Sequence, residues 1–323
     1  MNLNRAATTI AESMIADAPG LGAVLHEVAG VRVLDCGARC HGSTPAGLGM
    51  ARAALAGLGT VAVETAAGFA PDWPDCPWPV VSVASEQPIA ACLAAQYAGW
   101  KVATKGYFAM ASGPLRAAIG REPLYDDIGF RERPDLAVGL LETAKLPPAD
   151  VCLQLATAAG VPPERMILLV ARTASIAGTL QVIARSLETA LHKLHDLHFD
   201  LRRIRRGRGR APLAPVPADD LTAIGRTNDA ILYGGHVVLE VGGDDDSLLD
   251  IGPRVVSRAS ASYGEPFATL FARAGGDFYA LDPALFAPAA VDFVNVDTGR
   301  THRFGGIAAE IVARSFGTAT AGG

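Results

Sequence analysis

The helical segment RSLETALHKLHDLH, which begins at Arg185, carries an arginine, a glutamate and three histidines. Steps of four and three residues place Gln181, Arg185, Glu188, His192 and His195 above one another on one helix face. Arg185 and Glu188 can pair directly at this spacing. The leucines of the segment form a second stripe that faces a core. The segment therefore combines a buried face with a face that can do chemistry.

Three interpretations of this polar face remain open from spacing alone. The simplest is a solvated helix surface with one ion pair, which contributes only about 0.3–0.5 kcal/mol. A metal site is a weaker interpretation, because His192, His195 and His198 drift round the helix by about 60° per step and the sequence contains no HExxH motif. We therefore expect surface or interface histidines. The third interpretation is the working surface of an enzyme.

The residues before this helix favour a ligand site. A buried aliphatic strand, ERMILLVART, leads into the small-residue loop ASIAGT. Such a unit of strand, small loop and helix directs backbone N–H groups towards a ligand at the strand end. The loop lacks the Gly-Lys-Ser/Thr ending of a phosphate-binding loop, and no GxGxxG motif follows a strand. Binding of ATP or of a nicotinamide nucleotide is therefore not supported.

The stretch RRIRRGRGR at residues 202–210 holds six arginines. We expect a flexible basic loop on the surface, with binding of the phosphate or carboxylate tail of a ligand as the alternative. The Pro-rich residues that follow indicate an exposed crossing or a linker between two lobes.

The elements around these residues predict an α/β fold, because strands alternate with helices over the first two-thirds of the chain. A long helix is predicted from about Thr179 to Phe199, and the helix over PPADVCLQLATAAG is predicted to end at Gly160. The GRTND segment is expected to lie between a helical turn and strands. Later strands add antiparallel pairs, including a hairpin with its turn at residues 297–299.

Bulk composition narrows the functional class. A net charge of −5 argues against a nucleic-acid binder. No apolar run approaches the roughly 18–20 residues that span a bilayer, and the N-terminal segment lacks the apolar core of a signal peptide. Five cysteines are typical of a reduced cytoplasmic protein, and we expect Cys36 and Cys40 to be buried apolar residues rather than metal ligands.

Long stretches of the chain resemble one family. These are TASIAGTLQVIARSLETALHKLHDLHFD, APLAPVPADDLTAIGRTNDAILYGG, VLDCG, AGLGMARAALAGLG, PIAACLAAQYAGW, FAMASGPLRA, GGDFYALDPALFAPA and TGRTHRFGGI. They extend over nearly the whole chain, and they resemble the methenyltetrahydromethanopterin cyclohydrolases. The Arg-x-x-Glu catalytic pair of that family falls on Arg185 and Glu188.

The resemblance implies two α/β domains with mixed sheets, a substrate pocket at the domain interface, and a homotrimer. We expect a first domain over residues 1–160 and a second, which carries the catalytic helix, over 161–323, with the chain free to cross between them. The implied reaction is reversible hydrolysis of 5,10-methenyltetrahydromethanopterin to its 5-formyl form during formaldehyde oxidation, without a metal or nicotinamide cofactor. The expected partner is this pterin or a close tetrahydropterin, with no nucleic acid and no membrane.

This chemistry assigns roles to residues. Glu188 is expected to act as general base for water and then as proton donor to the leaving nitrogen, while Arg185 orients it. Other residues that equally suit caps and turns are candidates for binding the pterin; they are Ser112, Gly113, Thr173, Ser175, Thr179, Arg226, Thr227, Asn228 and Asp229. Competing functions are a metal-dependent amidohydrolase that uses His192 and His195, a non-catalytic pterin-binding protein, and a family member that prefers a folate.

Overall fold

The computed structural model describes residues 2–67, 69–70, 72–97 and 99–317. Its strands are, in chain order, β1 (Val24–Val28), β2 (Val31–Gly37), β3 (Gly59–Glu64), β4 (Val80–Ser85), β5 (Trp100–Thr104), β6 (Tyr107–Ser112), β7 (Ala137–Glu142), β8 (Met166–Ala171), β9 (Ile204–Pro212), β10 (His236–Val241), β11 (Ala290–Asn295) and β12 (Thr301–Gly305). Its α-helices are α1 (Leu3–Ala16), α2 (Thr44–Ala54), α3 (Leu115–Ile119), α4 (Leu124–Asp127), α5 (Ala149–Ala159), α6 (Ile176–Ile183), α7 (Ser186–Asp196), α8 (Asp220–Leu232), α9 (Asp245–Ile251), α10 (Phe267–Arg273) and α11 (Ala309–Phe316). A π-helical segment, Ile89–Gln96, precedes β5.

The chain divides into two compact units, and each unit is built from two stretches of sequence. The first unit holds residues 1–60 and 89–182, and the second holds 61–88 and 183–323. Each contains a six-stranded sheet with both parallel and antiparallel pairs, so the predicted α/β class with mixed sheets is confirmed. Across the described ranges, no helix is long and apolar enough to cross a membrane.

The sheet of the first unit has the strand order β1-β2-β8-β7-β6-β5, with parallel pairing of β8 to β2 and to β7. Helices α1 and α2 pack on one face and α3 and α5 on the other. Because both faces are covered, every residue of the aliphatic strand β8 is buried. The predicted end of α5 is confirmed, since Gly160 follows that helix with φ +70°.

The sheet of the second unit has the strand order β12-β11-β10-β9-β4-β3. Strands β10 and β11 are parallel, whereas β9 runs antiparallel to both β10 and β4. Strands β11 and β12 form the predicted hairpin, and Gly299 supplies the positive φ of its turn at +73°. Helix α7 lies against β9 and β10 and is thereby held on this sheet.

The basic stretch is the main correction to the sequence prediction. Neither a flexible loop nor a linker is present, because β9 occupies a central place in the sheet, between β10 and β4. At the centre of β9, buried Gly207 and Gly209 alternate with exposed Arg206 and Arg208. The buried face is filled by glycines rather than by the aliphatic residues that usually mark a strand. The residue types of this stretch therefore do not predict a strand.

The predicted helix from Thr179 to Phe199 is also wrong in extent. Two helices are present: α6 begins inside the predicted small-residue loop, and α7 begins only after a break at residues 184–185. Arg185 adopts φ −89° and ψ 4°, outside the helical region. The apolar stripe continues across the break, so its spacing does not reveal it. Likewise Gly225–Asp229 lies within α8 rather than between a helical turn and strands.

Candidate active site

The break before α7 places Arg185 and Glu188 together. Arg185 occupies the N-cap position and Glu188 lies in the first helical turn, where the partial positive charge of the helix N-terminus favours a carboxylate. The Arg185 Nε lies 3.4 Å from the Glu188 Oε2. Only 9% of Arg185 and 2% of Glu188 are exposed, which contradicts the solvated-surface interpretation. A buried charge requires pairing, and each residue of this pair supplies the counterion of the other.

His192 continues the polar face by one helical turn. Its Nδ1 lies 3.8 Å from the Glu188 Oε1, and its Nε2 lies 3.6 Å from Oδ1 of Asp196. Arg185, Glu188 and His192 therefore share one side of the chain as the spacing predicted, although a helix break separates the first from the others. Asp196 was not among the predicted residues, yet it stands four positions after His192, so the same spacing rule would have found it.

Two glycines of β9 fix the depth at which α7 lies on its sheet. A Cβ atom added to Gly209 would lie 2.5 Å from the Ser186 Oγ and 2.7 Å from the Leu187 backbone nitrogen. A Cβ atom on Gly207 would lie 2.6 Å from the Leu187 Cδ1. A larger residue at Gly209 would therefore push the start of α7 away from the strand, whereas one at Gly207 would first displace the Leu187 side chain. These glycines set where Glu188, the next residue along the helix, is held.

Lys193 holds the C-terminal half of α7 in place. Its side chain is buried, and its Nζ donates a hydrogen bond of 2.8 Å to the Pro283 carbonyl. Burial lowers the pKa of Lys193, while the charges of Asp196 and Asp282 oppose that shift. The helix is thus held at its start by packing on glycine and further along by a charged hydrogen bond. Lys193 was not among the predicted residues, because its burial shows only in the structure.

The first unit holds five of the predicted ligand-binding residues. Thr173, Ser175 and Thr179 lie around the start of α6, where the turn engages the hydroxyls of Ser175 and Thr179 and strand β7 engages that of Thr173. Ser175 Oγ accepts from a main-chain N–H at 3.0 Å, Thr179 Oγ1 donates to the Thr173 carbonyl at 2.9 Å, and Thr173 Oγ1 donates to a carboxylate at the end of β7. Ser112 ends β6, and Gly113 follows with φ +91°. Their contact with a ligand stays a prediction.

The other four predicted residues lie in the second unit, on α8. Arg226 donates to two main-chain carbonyls, at 3.0 and 3.1 Å, and Thr227 and Asn228 each donate to a carbonyl one turn earlier. Asp229 Oδ1 accepts from the Phe267 N–H at 2.8 Å, and burial raises the pKa of Asp229 to about 7. These bonds hold α8 to its surroundings, and a role of these residues in binding a ligand stays a prediction.

The predicted histidine pattern does not assemble a metal centre in the part of the chain that is described. No group of three or more His, Cys, Asp or Glu side chains is arranged there to hold an ion. His195 Nδ1 lies 3.9 Å from the Asp196 Oδ1, and His198 lies beyond the end of α7 with φ +58°. Cys36 is fully buried, as expected, and Cys40 is partly buried.

Comparison with known proteins connects this geometry to a chemistry. A sequence profile described as cyclohydrolase (MCH) matches residues 2–316. The methenyltetrahydromethanopterin cyclohydrolase of Methylobacterium sp. (strain 4-46) is 43% identical over 321 residues, which cover 98% of this chain and 97% of that protein. Its counterpart from Rhodopirellula baltica is 42% identical over 322 residues, covering 98% and 95%. The protein of that name from Methanosarcina mazei is 38% identical over 292 residues, covering 89% of each chain.

Proposed function

We infer the reaction from one premise: the chain belongs to the cyclohydrolase (MCH) family. We propose that it hydrolyses 5,10-methenyltetrahydromethanopterin to 5-formyltetrahydromethanopterin, reversibly. The observation that carries this proposal within the molecule is the buried Arg185–Glu188 pair at the start of α7. A carboxylate held at a defined position by a counterion is the group that water addition to a cationic carbon requires.

The substrate explains why a carboxylate suits the reaction. Its methenyl carbon lies between two ring nitrogens and shares a positive charge with them, so the carbon is electrophilic. Water adds to this carbon and gives a carbinolamine, after which one C–N bond breaks and a formyl group remains on the other nitrogen. The negative charge of Glu188 opposes the charge of the bound cation, and its oxygens accept the proton that water loses.

We assign two successive tasks to Glu188 and one to Arg185. Glu188 removes a proton from the attacking water and then returns a proton to the leaving nitrogen. Arg185 fixes the carboxylate in place, because its Nε lies 3.4 Å from Oε2. General acid–base catalysis of this kind contributes about 10²–10⁴-fold to a rate. Gly207 and Gly209 of β9 allow α7 to lie close to its sheet and thereby hold Glu188 in position.

We further propose that the enzyme works without a metal or nicotinamide cofactor, in the cytoplasm, as a homotrimer, and on the route that carries formaldehyde carbon towards formate. Support for a metal-free reaction comes from the residues themselves, since the carboxylate supplies the base and the substrate supplies its own positive charge. The predicted ligand contacts at Ser112, Gly113 and around Thr173, and those on α8, are proposed to hold the pterin and its tail.

One assay tests the function and its rivals. Loss of the methenyl chromophore is followed with methenyltetrahydromethanopterin and with methenyltetrahydrofolate, each with and without a chelator. We expect turnover of the methanopterin substrate that the chelator does not affect. Faster turnover of the folate would overturn the substrate assignment, and loss of activity with chelator would favour a metal-dependent amidohydrolase. Tight binding without turnover would identify a pterin-binding protein that is not an enzyme.

A further inference from the structure

The proposed hydrolysis releases a proton that must leave a buried site. A cation and water become a neutral formyl product, so each turnover sets free one net proton. The first proton that Glu188 takes from water goes to the leaving nitrogen. The second comes from the carbinolamine hydroxyl as the formyl C=O forms, and Glu188 is left protonated. The carboxylic acid must lose this proton before the next cycle, yet only 3% of the Glu188 side chain is exposed.

Along α7, the groups that can carry a proton become progressively more exposed. The Glu188 side chain is 3% exposed, that of His192 is 32% exposed, and that of Asp196 is 47% exposed. The three residues are spaced by one helical turn each. His192 Nδ1 lies 3.8 Å from the Glu188 Oε1, and its Nε2 lies 3.6 Å from the Asp196 Oδ1. A small rotation of a side chain converts either distance into a hydrogen bond.

We propose that His192 is the relay through which Glu188 returns its proton to solvent, an inference that rests on the proposed function. Glu188 gives the proton to Nδ1, which yields the carboxylate and an imidazolium. The imidazolium then releases a proton from Nε2 to Asp196 or to solvent, and the neutral ring is restored. No other reactant is needed, and the reverse reaction uses the same steps backwards. Imidazole suits this task because it gains and loses protons readily near neutral pH.

The relay differs from a purely structural role in a measurable way. His192 acts on Glu188 after the chemical steps and not on the substrate, so its removal should lower kcat and leave kcat/KM unchanged. His192→Gln retains a polar side chain of similar reach but cannot carry a proton. His192→Ala leaves space into which free imidazole can diffuse. His195→Gln is the matched control, because His195 lies on the same helix face, within 3.9 Å of the same aspartate, but one turn further from Glu188.

The experiment compares kcat of the four full-length proteins on methenyltetrahydromethanopterin in dilute buffer without imidazole, and then with added imidazole. We expect both His192 variants to lose at least about tenfold in kcat. Added imidazole should restore His192→Ala towards wild type, and His195→Gln should remain within about twofold of wild type throughout.

Two results would overturn the relay while the proposed function stands. One is a wild-type kcat in both His192 variants, and the other is a loss that no concentration of imidazole relieves in variants with a wild-type melting temperature. An inactive wild-type protein would instead overturn the proposed function, and this is seen before any variant is compared.

Discussion

Replacing Gly209 with alanine tests whether the close approach of α7 to the glycines of β9 positions Glu188. The added Cβ would meet the Leu187 backbone nitrogen at 2.7 Å, so this nitrogen must retreat by about 0.7 Å to reach an ordinary contact of 3.4 Å. Glu188 follows directly in the chain and must move with it. Because a displacement of about 1 Å in a catalytic group reduces rates by about 10²-fold, we expect kcat to fall about 10- to 100-fold. Overpacking should also reduce stability by about 1–3 kcal/mol.

The assay is designed to separate misplacement from unfolding. Melting temperatures are determined first, and kcat is then compared at a temperature where every variant is folded. Gly207→Ala meets flexible side-chain ends, Leu187 Cδ1 at 2.6 Å and Leu239 Cδ2 at 3.2 Å, so its loss should be smaller and should be relieved by the second change Leu187→Val. Gly306→Ala, whose nearest neighbour would lie at 3.3 Å, is the control. A folded Gly209→Ala protein with kcat within about twofold of wild type would refute the positioning argument.

Three other predictions address the pair, a buried acid and the arginine strand. Arg185→Ala leaves the Glu188 carboxylate buried without its arginine. We expect kcat to fall by about 10²-fold or more and the free energy of unfolding to fall by about 3 kcal/mol or more. A mild effect on both would show that Arg185 contributes only packing. Burial raises the pKa of Asp229 from 3.8 to about 7, so the folded protein binds this proton more tightly than the unfolded chain does. Its contribution to stability is therefore present below pH 4 and is lost as the pH rises to about 7, and the loss is at most about 4 kcal/mol. Asp229→Asn should abolish this decline when melting temperatures are measured across that pH range. A variant with the same pH profile as wild type would contradict the assignment. Arg208→Ser should leave kcat/KM within about twofold of wild type, because the arginine lies on the sheet face opposite α7, whereas a large rise in KM would indicate that this face binds the substrate tail.

The sequence predicts best those elements whose side-chain types show directly that they are buried. Strand β8 is aliphatic throughout because helices cover both of its faces, and this makes it recognisable without a structure. The glycine at the end of α5 and the hairpin turn are equally local signals. The sheet that each strand joins is not local information, because β3 and β4 enter the second sheet through the pairing of β4 with β9.

The candidate site was predictable in its residues but not in its construction. Arg185 and Glu188 keep their predicted proximity because the helix restarts immediately after Arg185. The break itself is invisible in the sequence, since the leucine stripe continues across it. Strand β9 was missed because the buried positions at its centre are glycines, which signal loops more often than strands. Only the close approach of α7 explains why glycine is required there.

The most direct test of the central claim is the turnover of Glu188→Gln. Glutamine keeps the size of the side chain but leaves the buried Arg185 without its counterion, so we expect a folded protein with a lower melting temperature that still binds methenyltetrahydromethanopterin. It cannot accept a proton from water, and we therefore expect kcat to fall by about 10²-fold or more. A folded Glu188→Gln protein that binds the substrate and turns it over at a rate near that of wild type would show that another group is the base.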